Sequence, residues 1–338
     1  MKIIVDACGG DKGPLEVTKA ARMAVDELGY EIILVGNETE IKEECNKNNI
    51  SLKGIEIVDA PEVITMEDAP TDIMKSKNNC SMAKGLKMLA DDMGDAFVTS
   101  GNSGALTVGA TLIVKRLKGI KRCAFAPVVP TDGEPFMLID SGANIECRPE
   151  ILAQFGVMGY IYMKNVMVVK DPKVGLVNIG AEKCKGGENL CKAYELLEKS
   201  NINFIGNIEA RDIPSGAANV VVTDGFTGNV ILKLYEGMAK EIFAKFKNIL
   251  TKNFMNKIAA SIIASDVTDL KKKMDYTEFG GAPLMGTSKP VFKAHGNSDA
   301  KTLKNAIRLA GEYAKRGVIK LISELIKTLG QDENEQEN

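Results

Sequence analysis

The stretch Thr223-Asp224-Gly225-Phe226-Thr227-Gly228-Asn229 follows the apolar run Val220-Val221-Val222 and leads directly into an amphipathic run from Ile231. Glycine permits positive φ and asparagine tolerates it, so such a turn can be plain geometry or a cradle of backbone N–H groups for an anion. The same composition recurs after other apolar runs. Asp6-Ala7-Cys8-Gly9-Gly10-Asp11, Ser100-Gly101-Asn102-Ser103-Gly104, Asp140-Ser141-Gly142-Ala143-Asn144 and Asn178-Ile179-Gly180 all combine glycine with a small hydroxyl, amide or carboxylate. Any single copy reads better as a capping turn. Five copies shift the balance to anion binding, and the anion they suit is phosphate.

Two further segments carry titratable groups. Ala181 to Asn189 is a glycine-rich loop with Lys183 and Lys185, either of which can neutralise a phosphate or a developing oxyanion, or simply sit on a solvated surface. His295, the single histidine, lies in Val291-Phe292-Lys293-Ala294-His295-Gly296-Asn297-Ser298, a short strand entering a helix through a sixth turn of the same kind. A lone histidine is more often structural, and its place beside Lys293 makes catalysis or substrate binding an equal alternative. The glycine-rich stretch Tyr276 to Gly286 is expected to line the same cleft.

Other chemistries lack their residues. There is no G-x-G-x-x-G after a strand, no G-x-x-x-x-G-K-[ST] and no G-x-S-x-G, so a dinucleotide fingerprint, a nucleoside-triphosphate loop and a nucleophile elbow are all missing. The seven cysteines stand singly with no C-x-x-C pair, which suggests reduced thiols and neither a disulfide framework nor a zinc site. No metal and no cofactor is expected. Net charge is −2, tryptophan is absent and aromatics make up 5% of residues, so nucleic-acid binding is not indicated.

The elements that must position these turns alternate. Short β-branched runs at 3–5, 32–35, 55–58, 96–98, 136–139, 174–177, 203–205 and 220–222 are separated by helix-period segments at 16–28, 81–91, 105–117, 149–163 and 188–199. This pattern predicts crossover units and a three-layer α/β/α architecture around a largely parallel sheet, with the ligand beyond the carboxyl ends of the strands. We expect a single catalytic unit over residues 1–330 and a disordered acidic tail over 331–338. The opening Met1 to Asp6 reads as a strand and leaves no room for a signal peptide, and the apolar stretch 151–169 suits a buried helix better than a membrane span.

The turn motifs, with Gly206-Asn207-Ile208-Glu209-Ala210-Arg211-Asp212 and Glu278-Phe279-Gly280-Gly281-Ala282-Pro283-Leu284 added, together resemble the bacterial phosphate acyltransferases, in order and nearly end to end. The resemblance implies transfer of a fatty acyl group from acyl-(acyl carrier protein) to inorganic phosphate. The product is acyl phosphate, the donor for the first acylation of glycerol 3-phosphate. It also implies a fold similar to the isocitrate and isopropylmalate dehydrogenases and the phosphotransacetylases, and a cytoplasmic homodimer attached peripherally to the membrane.

Two departures stand out. Cys8 replaces the usual methionine, and Lys185-Gly186-Gly187-Glu188-Asn189 stands where the family has K-G-N-E, which leaves Lys183 and Lys185 as alternatives with Lys185 the better match.

The expected chemistry needs no covalent intermediate, because phosphate is a nucleophile and a thiol of pKa about 8.5 is a fair leaving group. Asn229 is expected to donate to phosphate or to the thioester oxyanion, with Lys185 supplying charge, Asn102 shaping the opposite wall and His295 nearby. Substrate contacts are expected from Asp6, Gly9, Gly10, Gly101, Ser103, Gly104, Asn144, Lys183, Gly225, Thr227 and Gly228. The competing reading makes Asn229 a helix cap.

From Tyr235 to Ala264 apolar residues fall on one helical face with lysines elsewhere, a pattern of core, dimer or interfacial membrane helices, and a protruding amphipathic segment is expected over about 235–273. Phe254 to Ala264 departs from the stripe, being apolar nearly all round from Ile258. Phe254, Ile258, Ile262 and Ile263 are the expected membrane contacts. The basic cluster Lys115 to Arg122 either steers the acidic carrier protein or caps a helix end.

Overall fold

The computed structural model describes residues 1–131, 133–273 and 279–335. Twelve strands are found among them: β1 (Lys2–Asp6), β2 (Glu31–Gly36), β3 (Ile55–Asp59), β4 (Ala96–Thr99), β5 (Ala124–Phe125), β6 (Val128–Val129), β7 (Phe136–Ile139), β8 (Val174–Val177), β9 (Phe204–Ile208), β10 (Val220–Val222), β11 (Gly281–Met285) and β12 (Val291–Ala294). The helices that alternate with them are α1 (Gly13–Leu28), α2 (Glu38–Lys47), α3 (Ser81–Ala90), α4 (Ser103–Gly109), α5 (Pro149–Asn165), α6 (Glu188–Lys199), α7 (Gly225–Thr251), α8 (Phe254–Ile262), α9 (Ala264–Lys273), α10 (Ala300–Lys315) and α11 (Val318–Glu335). The last of these runs into the stretch expected as a disordered tail, of which 336–338 lie outside the described residues.

The alternation yields two sheets where the sequence pattern suggests one. The first has the order β3-β2-β1-β4-β12-β11-β5 and is parallel from β3 to β12, with β11 and β5 antiparallel at its edge. The second has the order β6-β7-β10-β8-β9 and is parallel except for β6. A short β-branched run marks a strand but not its neighbour. The chain builds the first sheet from its opening third, leaves to build the second, and returns with β11 and β12, so that Phe97 pairs with Val291.

A shared core holds the two sheets together. Ile3, Val5 and Phe292 of the first and Val174, Val220 and Val222 of the second belong to one buried apolar cluster, with α5 and α10 between them. Helix α5 is buried along most of its length, and Phe155, Met158 and Tyr162 are fully buried. It is the buried helix expected over 149–163. Among the described residues no helix is long and apolar enough to cross a membrane.

Candidate functional site

Each sheet carries a buried carboxylate at a strand end that organises the turn above it. Asp6, closing β1, accepts hydrogen bonds from the Cys8 N–H, the Ser81 hydroxyl at 2.7 Å and the Thr99 hydroxyl at 2.6 Å, tying β1 to α3 and β4. A side chain at Gly9 would put its Cβ 2.6 Å from the Gly101 nitrogen, so the two turns can touch only through glycine. Asp140 does the same after β7. It accepts from the backbone N–H groups of Phe125, Gly142, Ala143 and Asn144 and from the Asn144 amide. Burial pushes both carboxyls above their usual range, and the hydrogen bonds pull them back.

The carboxyl ends of the two sheets open on one cleft of about 660 Å³. From the first sheet come Asp11, Ser103, Lys293, His295 and Gly296; from the second come Ser141, Gly142, Gly225 and Asn229. Met66, Phe125, Val128, Ile145, Phe226 and Leu232 give the cleft an apolar wall. A lining that combines polar turns with apolar side chains fits a ligand with an anionic part and an aliphatic part.

Asn229 is the fifth residue of α7, one turn beyond the cap. The cap is Asp224, whose carboxylate accepts from the Thr227 N–H at 2.7 Å. The Asn229 side chain is exposed in the cleft across from Gly142, and its amide has no hydrogen-bond partner among the described residues. Gly228 is required immediately before it, since a Cβ there would lie 1.9 Å from the Asp140 carbonyl oxygen.

The other expected site residues divide into those that line the cleft and those beneath or away from it. Ser103, Gly225, Asn229 and His295 line it. Asp6, Gly9, Gly10, Gly101, Gly104, Asn144, Thr227 and Gly228 form the framework of the turns. Within that framework the Asn144 amide donates to the Cys123 carbonyl and to Asp140. Asn102 is buried, caps α4 by accepting from the Ala105 N–H, and donates to the Thr65 carbonyl, so both ends of its amide are engaged.

Lys183 and Lys185 lie on the loop after β8, outside the cleft lining. Lys183 pairs with Glu198 and lies 5.1 Å over the Tyr194 ring; Lys185 stands 3.8 Å from Glu182. Of the stretch 276–286, residues 276–278 lie outside the described residues, Gly280 to Ala282 line the cleft, and 281–285 form β11.

Lys293, Asp11, Lys233, Glu236 and Asp140 are not among the expected site residues, although Lys293, Asp11 and Asp140 stand in the motifs quoted above. Lys293 had a legible signal: it stands two positions before His295 at a strand end, so the period of two puts both on one face. Its ammonium donates to the carbonyls of Ser100 and Ala294. Burial lowers its pKa to about 8, against the opposing pull of Asp11 and Asp6.

This geometry agrees with what the chain is related to. Residues 1–321 match the family of fatty acid synthesis proteins. A phosphate acyltransferase of Alkaliphilus oremlandii is 46% identical over 335 residues, covering 99% of this chain and 100% of that protein. One of Acetivibrio thermocellus is 45% identical over 338 residues, covering 100% of each. The chain belongs to the phosphate acyltransferase family. The family read from the turn motifs is therefore the family matched over the whole chain.

Solved structures with the fold of this phosphate acyltransferase family member include a phosphotransacetylase of Staphylococcus aureus, with TM-score 0.61 and 16% identity over 92% of this chain and 94% of that one. A 4-hydroxythreonine-4-phosphate dehydrogenase of Klebsiella pneumoniae has TM-score 0.55 and 12% identity over 93% and 99%. At such identities the likeness speaks for the α/β fold, which is the one expected from the sequence.

Proposed function

We propose that this phosphate acyltransferase family member moves a fatty acyl group from acyl carrier protein to inorganic phosphate, in the cleft between the two sheets. A phosphate oxygen attacks the thioester carbonyl carbon. As the C–O bond forms, the carbonyl electron pair moves to oxygen, where the Asn229 amide donates to the developing charge. Collapse restores the carbonyl and breaks the C–S bond, releasing the carrier's thiolate and acyl phosphate. Holding both partners in one cleft and meeting the oxyanion with a fixed donor are the two contributions that such a reaction needs.

The observation that carries this reading is the Asn229 amide, unpartnered among the described residues, set between polar turns and an apolar wall. The test is acyl-phosphate production by the purified chain from long-chain acyl carrier protein and phosphate. A rival using short acyl-CoA predicts the opposite preference. Turnover confined to short acyl-CoA would overturn the assignment.

Attachment and assembly belong to the same proposal. Along α7, Val230, Leu234, Met238, Ile242, Phe246 and Ile249 recur at three- and four-residue spacing and are all exposed, an unpartnered apolar stripe. A second copy covers this stripe, the exposed tip at Phe254 to Ile263 rests on the membrane surface, and the exposed cations of Lys115 to Arg122 receive the acidic carrier. The chain works at the cytoplasmic face. A monomeric mass by sedimentation at micromolar concentration would remove the dimer from this account.

A further inference from the structure

We infer that Lys293, at a strand end of the first sheet in the cleft that Asn229 lines from the second, is the residue that binds the nucleophilic phosphate. The inference rests on the proposed reaction and adds to it a division of labour between the sheets: the first holds phosphate, the second holds the thioester carbonyl.

An ammonium has three N–H donors. Two of those on Lys293 go to the Ser100 and Ala294 carbonyls, which leaves one for the cleft that the residue lines. The groups that hold it come from three directions: Ser100 from the end of β4, Ala294 from β12 itself, and β11, whose Ala282 is its register partner. No ion pair involves Lys293 among the described residues, although Asp6 and Asp11 lie near enough to feel its charge and His295 stands on the same strand end. A half-buried cation without a bound carboxylate is costly, and an anionic ligand reduces that cost. The lysines expected to carry this charge are each already beside a glutamate on an exposed loop.

Burial also places the Lys293 titration at about 8. Below that pH the ammonium is present and phosphate is held; above it the charge goes and affinity falls. The charged groups facing Lys293, Asp11 and Asp6, both raise its pKa and so extend the window upward.

The experiment compares the full-length chain with Lys293→Gln, by thermal shift with inorganic phosphate and by acyl-phosphate production with phosphate and acyl carrier protein varied in turn. The expected result is a phosphate KM raised about 10- to 100-fold, as for loss of one charge-assisted hydrogen bond, with the acyl-carrier KM little changed and phosphate stabilisation lost. A variant with wild-type phosphate KM and wild-type phosphate stabilisation overturns the assignment. If wild type makes no acyl phosphate but is stabilised by phosphate through Lys293, the phosphate site stands and the proposed reaction falls. Should Lys293→Gln not fold, Lys293→Met, which keeps the length of the side chain and removes its charge, takes its place with the same two outcomes.

Discussion

At position 229, aspartate would keep the size of the side chain but replace its N–H donor with an anion. The helix cap is Asp224, so α7 does not depend on Asn229 for its start. Asn229→Asp is therefore expected to fold as wild type, by circular dichroism and melting temperature, and to lose about 10²-fold or more in turnover, the effect of one missing oxyanion donor. Near-normal acyl-phosphate production would remove Asn229 from the chemistry.

Lys293 gives the residue scale a pH signature. Its pKa falls from 10.5 to about 8 on folding, so between those values the unfolded chain binds the proton that the native chain has lost. Where the unfolded state holds more protons, stability rises with pH, and the full change corresponds to about 3 kcal/mol. The stability of wild type relative to Lys293→Met is thus expected to improve by about that amount from pH 8 to 10.5, being least favourable below 8. Denaturant titrations across that window check it, and a flat difference means the ammonium is not buried.

Elements place these residues through contacts that tolerate no added atom. The start of α7 abuts the Asp140 turn so closely that a methyl at Gly228 would meet the Asp140 carbonyl at 1.9 Å. Backbone cannot yield as a flexible side chain does, so Gly228→Ala is expected to cost about 1–3 kcal/mol or more and to lower the melting temperature. Activity should fall further than stability, because the same shift displaces Asn229. Full activity in a Gly228→Ala protein with unchanged melting temperature would show that this contact does not position Asn229.

The boundaries of other elements were partly legible. Pro149 and the apolar run after it mark α5, whereas the expected helix over 105–117 is shorter, α4 ending at Gly109 before a wider turn over Ala110–Val114.

Over the whole molecule, exposed apolar side chains gather on α7 and the tip beyond it, away from the packed sheets. Phe254 and Ile262 are each 76% exposed. In the attachment proposed above, an ion among these side chains is costly, and the residues lie in a different helix from Asn229. Ile262→Asp is expected to weaken liposome binding roughly tenfold while leaving turnover on a soluble acyl donor nearly intact. Flotation of this variant at wild-type levels would show that the tip is not the anchor.

Local chemistry in the chain decides a good deal. Alternating β-branched runs mark eight strands, glycine and small polar residues mark the turns after them, and the ordered set of motifs marks the family, because each of these signals acts within a few residues. Assembly of the cleft depends on contacts that no local rule contains. Two sheets form because β12 returns to pair with β4, joining Val291 to Phe97, and that pairing brings Lys293 and His295 to the cleft. The lysines after β8 look the better ligands in sequence, yet their loop leads to Glu182 and Glu198 instead. Whether Asn229 is a cap or a cleft residue is likewise open in the sequence, and it is Asp224 that caps α7 in the structure. The turn residues specify local geometry, but the free energy of burying the shared core selects which turns face one another.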